Sequence, residues 1–182
     1  MKKPSKKKSE AILEAITFWN GCRSIVPDED GSYHKPNQSY EAFAEKLKEA
    51  GWKNISDANC GSFKQCFSKN NIAVKFPRYS NSYSRNEIER EYEQWNQASS
   101  KFRKHLTRTY CLLDLVLIQD KVLIFCRDNK TKCNLLDIAK EFPIADHGHN
   151  HGHSKRGRVK FFDWVYNRTV DHLNDKNKRL YA

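Results

Sequence analysis

The spacing of apolar residues predicts two helices near the start of the chain. The first is expected to begin near Glu10, with Ser9 as its cap. Its apolar face is formed by Ile12, Ile16 and Trp19. The second helix ends at Gly51. Its apolar face is formed by Tyr40, Phe43, Ala44 and Leu47. We therefore expect a helical element over residues 9–52, preceded by a disordered basic tail over residues 1–8.

From Trp52 onward, the apolar residues occur in short runs that are typical of β-strands. The predicted strands are residues 53–59, 63–68 and 71–77 and, after a helical stretch, "YCLLDLVLI" and "KVLIFC". The helical stretch runs from about Asn86 to Lys104, and the last two strands are expected to turn at Gln119 and Asp120. This order predicts an α+β domain with a five-stranded antiparallel sheet and one packed helix over residues 53–128.

Helical patterns return in the last part of the chain, residues 129–182. Residues 134–141 are predicted to be helical, and the histidine-rich loop "DHGHNHGHSKRGR" follows them. The final predicted helix has an apolar stripe formed by Val159, Phe162, Tyr166, Val170 and Leu173. The sheet is therefore expected to be flanked by N- and C-terminal helices.

One lysine interrupts an otherwise apolar strand. Lys75 lies within "IAVKFP", where a buried charge without a partner would be strongly destabilising. On a wheel of the following helix, Glu91 lies on the apolar face, whereas Glu89 and Glu93 face solvent. The apolar face also contains Ile88, Trp95, Ala98 and Phe102. The simplest prediction is that Lys75 pairs with Glu91.

These segments resemble the small lobe of protein-kinase-like folds. The resemblance rests on "GSFKQCF", "IAVKFP", "NEIEREYEQW" and "KVLIFCRD", in this order. In that family a glycine-rich hairpin covers the phosphates of ATP, a strand lysine contacts the α- and β-phosphates, and a helix glutamate orients the lysine. The resemblance implies a nucleotide site for ATP that comprises Gly61, Ser62, Phe63, Lys64, Cys66, Ala73, Lys75, Glu91, Phe125 and Arg127.

The resemblance also implies a role for individual residues of this site. Gly61 matches the middle glycine of the hairpin, Lys75 the phosphate lysine and Glu91 its partner. Cys66 and Ala73 match the small residues that pack against adenine. The segment "VLIFCRD" matches the hinge strand that passes the edge of the adenine ring.

The chain departs from the family at positions that catalysis needs. Asn59 and Lys64 stand where the outer glycines of the hairpin are expected, so that Lys64 adds a positive charge there. The sequence has no H-R-D-type catalytic loop and no D-F-G motif, and it ends at Ala182, near where the second helix of the large lobe would finish. Phosphoryl transfer needs an acidic residue for the acceptor and ligands for magnesium. We therefore expect a truncated kinase-like protein without catalytic residues.

Three functions follow from these observations. The first is an interaction or regulatory module that engages another protein and binds a nucleotide. The second is an active ATP-dependent phosphotransferase that uses unconventional residues such as Asp146, His147 or Asp163, or that is completed by a second chain. The third is a basic protein that binds nucleic acid.

The net charge of the chain favours anionic partners. The net charge is +11 and the pI about 9.4, which favours nucleic acid, nucleotide or an acidic protein face as a partner. Much of the excess lies in residues 1–8, 155–160 and 176–179. These basic segments predict contacts with nucleic acid, and the alternative is a solvated, disordered surface.

Cysteine usage and hydropathy limit the class of protein. The six cysteines form no C-x-x-C pair, so neither a zinc site nor a disulfide framework is predicted for them. No apolar run approaches the roughly 20 residues that span a bilayer, and no signal peptide is recognisable. We therefore expect a cytoplasmic protein that makes no membrane contact.

Alternating histidines form the remaining segment with metal-binding chemistry. They are His147, His149, His151 and His153. Imidazoles at this density bind divalent zinc, nickel or copper. Because glycine and asparagine residues separate them, we expect a mobile loop that binds a divalent metal weakly; the alternative is a specific site or a substitute catalytic loop.

Overall fold

The chain is described by a computed structural model over residues 3–23, 38–56, 64–78, 82–124, 151–153 and 159–161. It divides into two compact units. The first unit comprises residues 1–89 and 109–121, and the second comprises residues 90–108 and 122–182.

Five antiparallel strands form the sheet of the first unit. They are β1 (Lys53–Asn54), β2 (Lys64–Lys69), β3 (Ile72–Pro77), β4 (Thr109–Leu113) and β5 (Val116–Asp120). Their spatial order is β1-β2-β3-β5-β4, so that β3 lies in the middle. Asn70 and Asn71 form the turn between β2 and β3 with φ angles of 51° and 61°, a conformation that asparagine tolerates in tight hairpins. The predicted α+β class and the five-stranded antiparallel sheet are confirmed.

The last hairpin of this sheet differs from the predicted one. The chain reverses at Asp114 and Leu115, inside the run predicted to be a single strand, and not at Gln119 and Asp120. Asp114 has a φ of 51°, and its Oδ2 accepts a hydrogen bond of 2.9 Å from Trp19 Nε1. The contact with Trp19 stabilises a turn that lacks the usual glycine. The predicted hinge strand "VLIFCRD" is therefore not the fifth strand.

Two helices pack on one side of the sheet. These are α1 (Lys6–Cys22) and α2 (Gln38–Glu49). The predicted apolar face of α2 is buried, and Gly51 ends the helix with a φ of 79°. The N–H of Trp52 then bonds to the carbonyl of Leu47 at 2.9 Å, which satisfies a carbonyl at the helix end.

Aromatic rings form the centre of the core between the helices and the sheet. Trp19 stacks on Tyr40 with ring centroids 5.2 Å apart. Phe43 and Phe76 lie 5.1 Å apart, and Phe67 stacks on Phe76 at 5.8 Å. Because all of these rings are buried, they contribute a large part of the apolar area that stabilises the first unit.

Polar contacts attach α1 near its start, in its middle and near its end. Near its start, Lys8 Nζ lies 2.5 Å from Asp120 Oδ1 at the end of β5. In its middle, the carboxylate of Glu14 accepts hydrogen bonds from Lys69 Nζ at 2.8 and 2.9 Å and from Trp52 Nε1 at 2.7 Å. Near its end, Trp19 makes the bond to the β4–β5 turn.

The helix α1 also begins earlier than the sequence indicated. It starts at Lys6, not near Glu10, so that Lys6, Lys7 and Lys8 belong to the helix and not to the predicted basic tail. Ser5 occupies the N-cap position with an extended backbone, but its side chain accepts no capping hydrogen bond. The ion pair of Lys8 with Asp120 accounts for the early start, because it fixes the first turn on the sheet.

The helix between β3 and β4 is interrupted. It consists of α3 (Ser82–Gln97) and the short α4 (Ser100–Arg103), where one helix was predicted. Ile88, Glu91, Trp95 and Ala98 are buried. Glu89 and Glu93 are exposed, as the helical wheel predicts.

The second unit contains a small antiparallel sheet. Its strands are β6 (Leu123–Ile124), β7 (His151–His153) and β8 (Val159–Phe161), in the order β6-β7-β8. Val159 is therefore part of a strand, which corrects the predicted start of the final helix. Within the parts of the chain that the structure describes, no helix has the length and apolar character needed to cross a membrane.

Candidate functional site

The buried lysine of β3 lies on the side of the sheet that faces away from α1 and α2. Ile72, Val74 and Phe76 belong to the core formed with these helices. Side chains alternate along a strand, so Ala73 and Lys75 lie on the opposite side. Only 6% of Lys75 is exposed, although it carries a charge.

The strand register places two rows of side chains on this side of the sheet. Residues directly opposite each other in antiparallel strands share a face. The first row contains Ser68, Ala73, Gln119 and Thr109. The second row contains Cys66, Lys75, Leu117 and Leu112. We call these eight residues the lysine face.

The lysine face is buried but unusually polar. Ser68, Lys75, Thr109 and Gln119 are each at most 6% exposed. The cross-strand neighbours of Lys75 are Cys66 and Leu117. A buried ammonium group is stable only with an anionic or strongly hydrogen-bonding partner. Lys75 is therefore a side chain suited to contact with a carboxylate or a phosphate.

Glu91 is the second buried charge that the sequence singled out. It lies on α3 and is 2% exposed, so its carboxylate also needs a partner. The burial predicted for both residues is confirmed. The pairing of Lys75 with Glu91 stays a prediction.

The remaining predicted site residues are distributed as follows. Lys64 and Cys66 lie on β2, with Cys66 directly opposite Lys75, and Ala73 lies on β3. Gly61, Ser62, Phe63, Phe125 and Arg127 lie outside the described residues. The structure thus brings Cys66, Ala73 and Lys75 together on one face.

The sequence analysis did not predict three polar residues of the lysine face. Gln119 was predicted to lie in a turn, whereas it pairs with Ala73 inside β5. Its signal is the alternation in "VLIQD", where Leu117 and Gln119 occupy one side and Val116 and Ile118 the other. Ser68 and Thr109 become visible only once the register is known.

The histidine-rich segment is only partly described. His151 and His153 lie on β7, whose backbone pairs with β6 and β8, so this part of the predicted mobile loop is a strand. His147 and His149 lie outside the described residues. Over the described ranges, no group of three or more His, Cys, Asp or Glu side chains is placed to hold a metal ion. The weak metal site stays a prediction.

A thiol on the opposite side of the sheet shows the effect of burial. Cys111 on β4 pairs with Ile118 and packs against the core of α1 and α2. Burial raises the pKa of the Cys111 thiol, because the thiolate would lose its hydration there. Cys111 is thus a packing residue at neutral pH.

Comparison with known proteins returned no match, either to a protein-family model or to a curated protein.

Proposed function

We propose that this chain is a protein-kinase-like small-lobe domain that binds the phosphates of a nucleotide such as ATP through Lys75 and acts as an interaction or regulatory module for another protein. The observation that carries the proposal is a lysine buried on the middle strand of a five-stranded antiparallel sheet. The small side chains of Ala73 and Cys66 beside it are compatible with a flat ring lying over the sheet.

The burial of Lys75 supports a phosphate ligand. Lys75 is 6% exposed and lies beside the aliphatic Leu117, so an interaction with its ammonium group takes place in a medium of low dielectric constant. A lysine acts in such sites as a point charge for phosphate.

We propose binding without phosphoryl transfer. Transfer requires a carboxylate at the acceptor hydroxyl and ligands for magnesium, held in line with the γ-phosphate. The 182 residues contain neither an H-R-D nor a D-F-G motif. The lysine face contributes hydroxyl, amide, thiol and ammonium groups but no carboxylate.

Nucleotide binding can be tested by thermal denaturation with ATP, ADP and adenosine. A ligand at 100 times its dissociation constant stabilises the native state by about 2.7 kcal/mol. We expect Lys75→Met to abolish the shift caused by ATP and ADP, because the phosphate contact is lost. The matched control is Lys53→Met, which removes an exposed lysine of the same sheet and should preserve the shift. An ATP shift that is equal in both variants would refute the assignment to Lys75.

Catalysis is tested separately with radiolabelled ATP and magnesium or manganese. We expect neither phosphotransfer nor hydrolysis above background. Robust turnover by the wild-type chain that is lost in Lys75→Met would make the protein a phosphotransferase and overturn the proposal of binding alone.

A further inference from the structure

One end of the five-stranded sheet carries lysines that come from separate parts of the chain. The first turn of α1 supplies Lys6 and Lys7, and Lys3 precedes the helix; all three are exposed. Lys121, which directly follows β5, is half-buried. These residues all belong to the first unit. We call Lys3, Lys6, Lys7 and Lys121 the basic edge.

The turn between β2 and β3 links the two segments that supply these lysines. The N–H of Lys121 donates a hydrogen bond of 2.9 Å to the carbonyl of Asn71. On the other side of the turn, Asn70 Nδ2 donates to the carbonyl of Lys7 at 3.4 Å. The basic edge is therefore a product of the fold and not of a single basic run in the sequence.

Two carboxylates near the basic edge already have cationic partners. Asp120 Oδ1 accepts hydrogen bonds from Lys8 Nζ at 2.5 Å and from the Tyr110 hydroxyl at 2.7 Å. Glu14 Oε2 pairs with Lys69 Nζ at 2.8 Å. Among the residues that the structure describes, the ammonium groups of the basic edge form no ion pair.

Folding alone does not account for the lysines of the first turn of α1. Positive side chains at the start of a helix oppose its dipole, and this turn contains no acidic residue that would compensate them. Glu10, in the next turn, is exposed and supplies one negative charge. A polyanion would offset the remaining positive charge and would release its own counterions on binding.

We propose that the basic edge binds the phosphate backbone of nucleic acid. Lysine contacts phosphate as a point charge, and several exposed lysines along one edge suit a row of phosphates. Contacts of this kind position a protein without reading the sequence of bases. The proposal does not depend on nucleotide binding by Lys75, which is buried on the middle strand of the sheet.

The surroundings of the basic edge favour nucleic acid over a protein or a membrane. Protein interfaces depend on aromatic and apolar anchors. Among the described residues, the exposed large apolar side chain is Leu13, about two turns beyond Lys6 on α1. A helix that lies on a membrane buries its apolar face there, whereas the apolar face of α1 packs in the core through Ala15 and Trp19.

The test measures binding of a fluorescent DNA duplex of arbitrary sequence to the full chain by anisotropy. We expect affinity to fall by about a hundredfold between roughly 50 and 200 mM salt, as for about four phosphate contacts. Lys6→Gln/Lys7→Gln should lose roughly tenfold or more in affinity near 100 mM salt and reduce the salt slope by about 1.8, since each lost contact contributes about 0.9. Lys75→Met should bind the duplex as the wild-type chain does.

The matched control is Arg23→Gln/Lys46→Gln. It removes the same charge from exposed side chains near the other end of α1, roughly 25 Å from Lys6 along the helix axis. We expect less than a twofold loss of DNA affinity in this control. Equal losses in the two double variants would show a response to net charge alone and overturn the assignment to the basic edge.

Two further measurements separate the proposal from other roles of these lysines. The Tm of Lys6→Gln/Lys7→Gln should equal or exceed that of the wild-type chain, because the change removes charges that oppose the helix dipole. A lower Tm would show that the lysines serve the fold and overturn the proposal. Tighter binding to polyglutamate or to phosphatidylserine vesicles than to the duplex would overturn the choice of nucleic acid.

Discussion

The two faces of the five-stranded sheet use alternate residues of the same strands but different kinds of side chain. The face toward α1 and α2 is apolar and largely aromatic or branched, with Phe67, Ile72, Val74, Phe76, Val116 and Ile118. The lysine face contains one cation, one amide and two hydroxyl groups at similar burial. Hydrophobic burial explains the first face completely.

The two faces differ in polarity at similar burial. A sheet that only had to fold would gain more from apolar side chains at Lys75 and Gln119, because a buried polar group adds little net stability even when it is satisfied. Packing alone therefore does not account for the polar side chains of the lysine face. Variants on the two faces should differ in both the size and the kind of their effects.

The largest loss of stability is expected on the face toward the helices. Phe76→Ala removes a fully buried ring that contacts Phe43 and Phe67, and should cost about 3–5 kcal/mol in the free energy of unfolding. Ser68→Ala, on the lysine face, should cost about 1 kcal/mol. Urea denaturation followed by circular dichroism measures both, and similar costs would contradict the contrast between the faces.

The next effect tests the predicted pair of buried charges. Glu91→Ala should destabilise by about 3 kcal/mol, because it would strand the charge of Lys75. The control Glu93→Ala, at an exposed position of the same helix, should stay within about 0.5 kcal/mol.

A double variant separates pairing from simple burial. If Lys75 and Glu91 interact, Lys75→Met combined with Glu91→Ala should cost clearly less than the sum of the single changes. Additive costs in the same urea measurements would show that each residue has a different partner.

A smaller effect is expected where α1 is attached to the sheet. Glu14→Gln weakens the charge-assisted bonds from Lys69 and should cost about 1 kcal/mol, since both side chains are partly solvated. Glu45→Gln breaks the more exposed pair with Lys48 and should cost at most about 0.5 kcal/mol. Equal midpoints in urea for the two variants would mean that the Glu14 contacts contribute no more than a surface pair.

The smallest expected effect concerns the reactivity of Cys111 and leaves stability unchanged. Because burial raises the pKa of its thiol, less thiolate is present near pH 8 in the folded chain than in the unfolded chain. Alkylation of Cys111 by iodoacetamide, followed by peptide mass spectrometry, should be slower in native than in denatured protein, and its rise with pH should be displaced to higher pH. Equal rates would indicate that the thiol is not buried in solution.

The spacing of residues in the sequence predicted the features that depend on residues close together in the chain. The face of α2 and the inward position of Glu91 follow from helical periodicity alone, because one turn of helix fixes which residues are neighbours. The lysine in β3 was equally visible, since a charge in an apolar strand stands out. The position of Gly51 follows from its freedom to adopt a positive φ.

Features that depend on distant residues were not predicted. Asp114 turns the chain within an apolar run with the help of Trp19, at a sequence separation of 95 residues. The first turn of α1 depends on Asp120, and the polar rows of the lysine face depend on the register of four strands. The periodicity of apolar residues in a short stretch of sequence gives no information about these contacts.

The attachment of α1 has a consequence for the order of events during synthesis. This helix is made before the sheet, and Lys8 and its partner are 112 residues apart in the chain. At about 5–20 residues per second, the ribosome needs roughly 6–22 seconds to bridge that interval. Until the β4–β5 hairpin has emerged, the attachments of α1 through Lys8 and Trp19 have no acceptor. The native first unit is therefore completed late, and its folding rate should be limited by these long-range contacts rather than by formation of the helix.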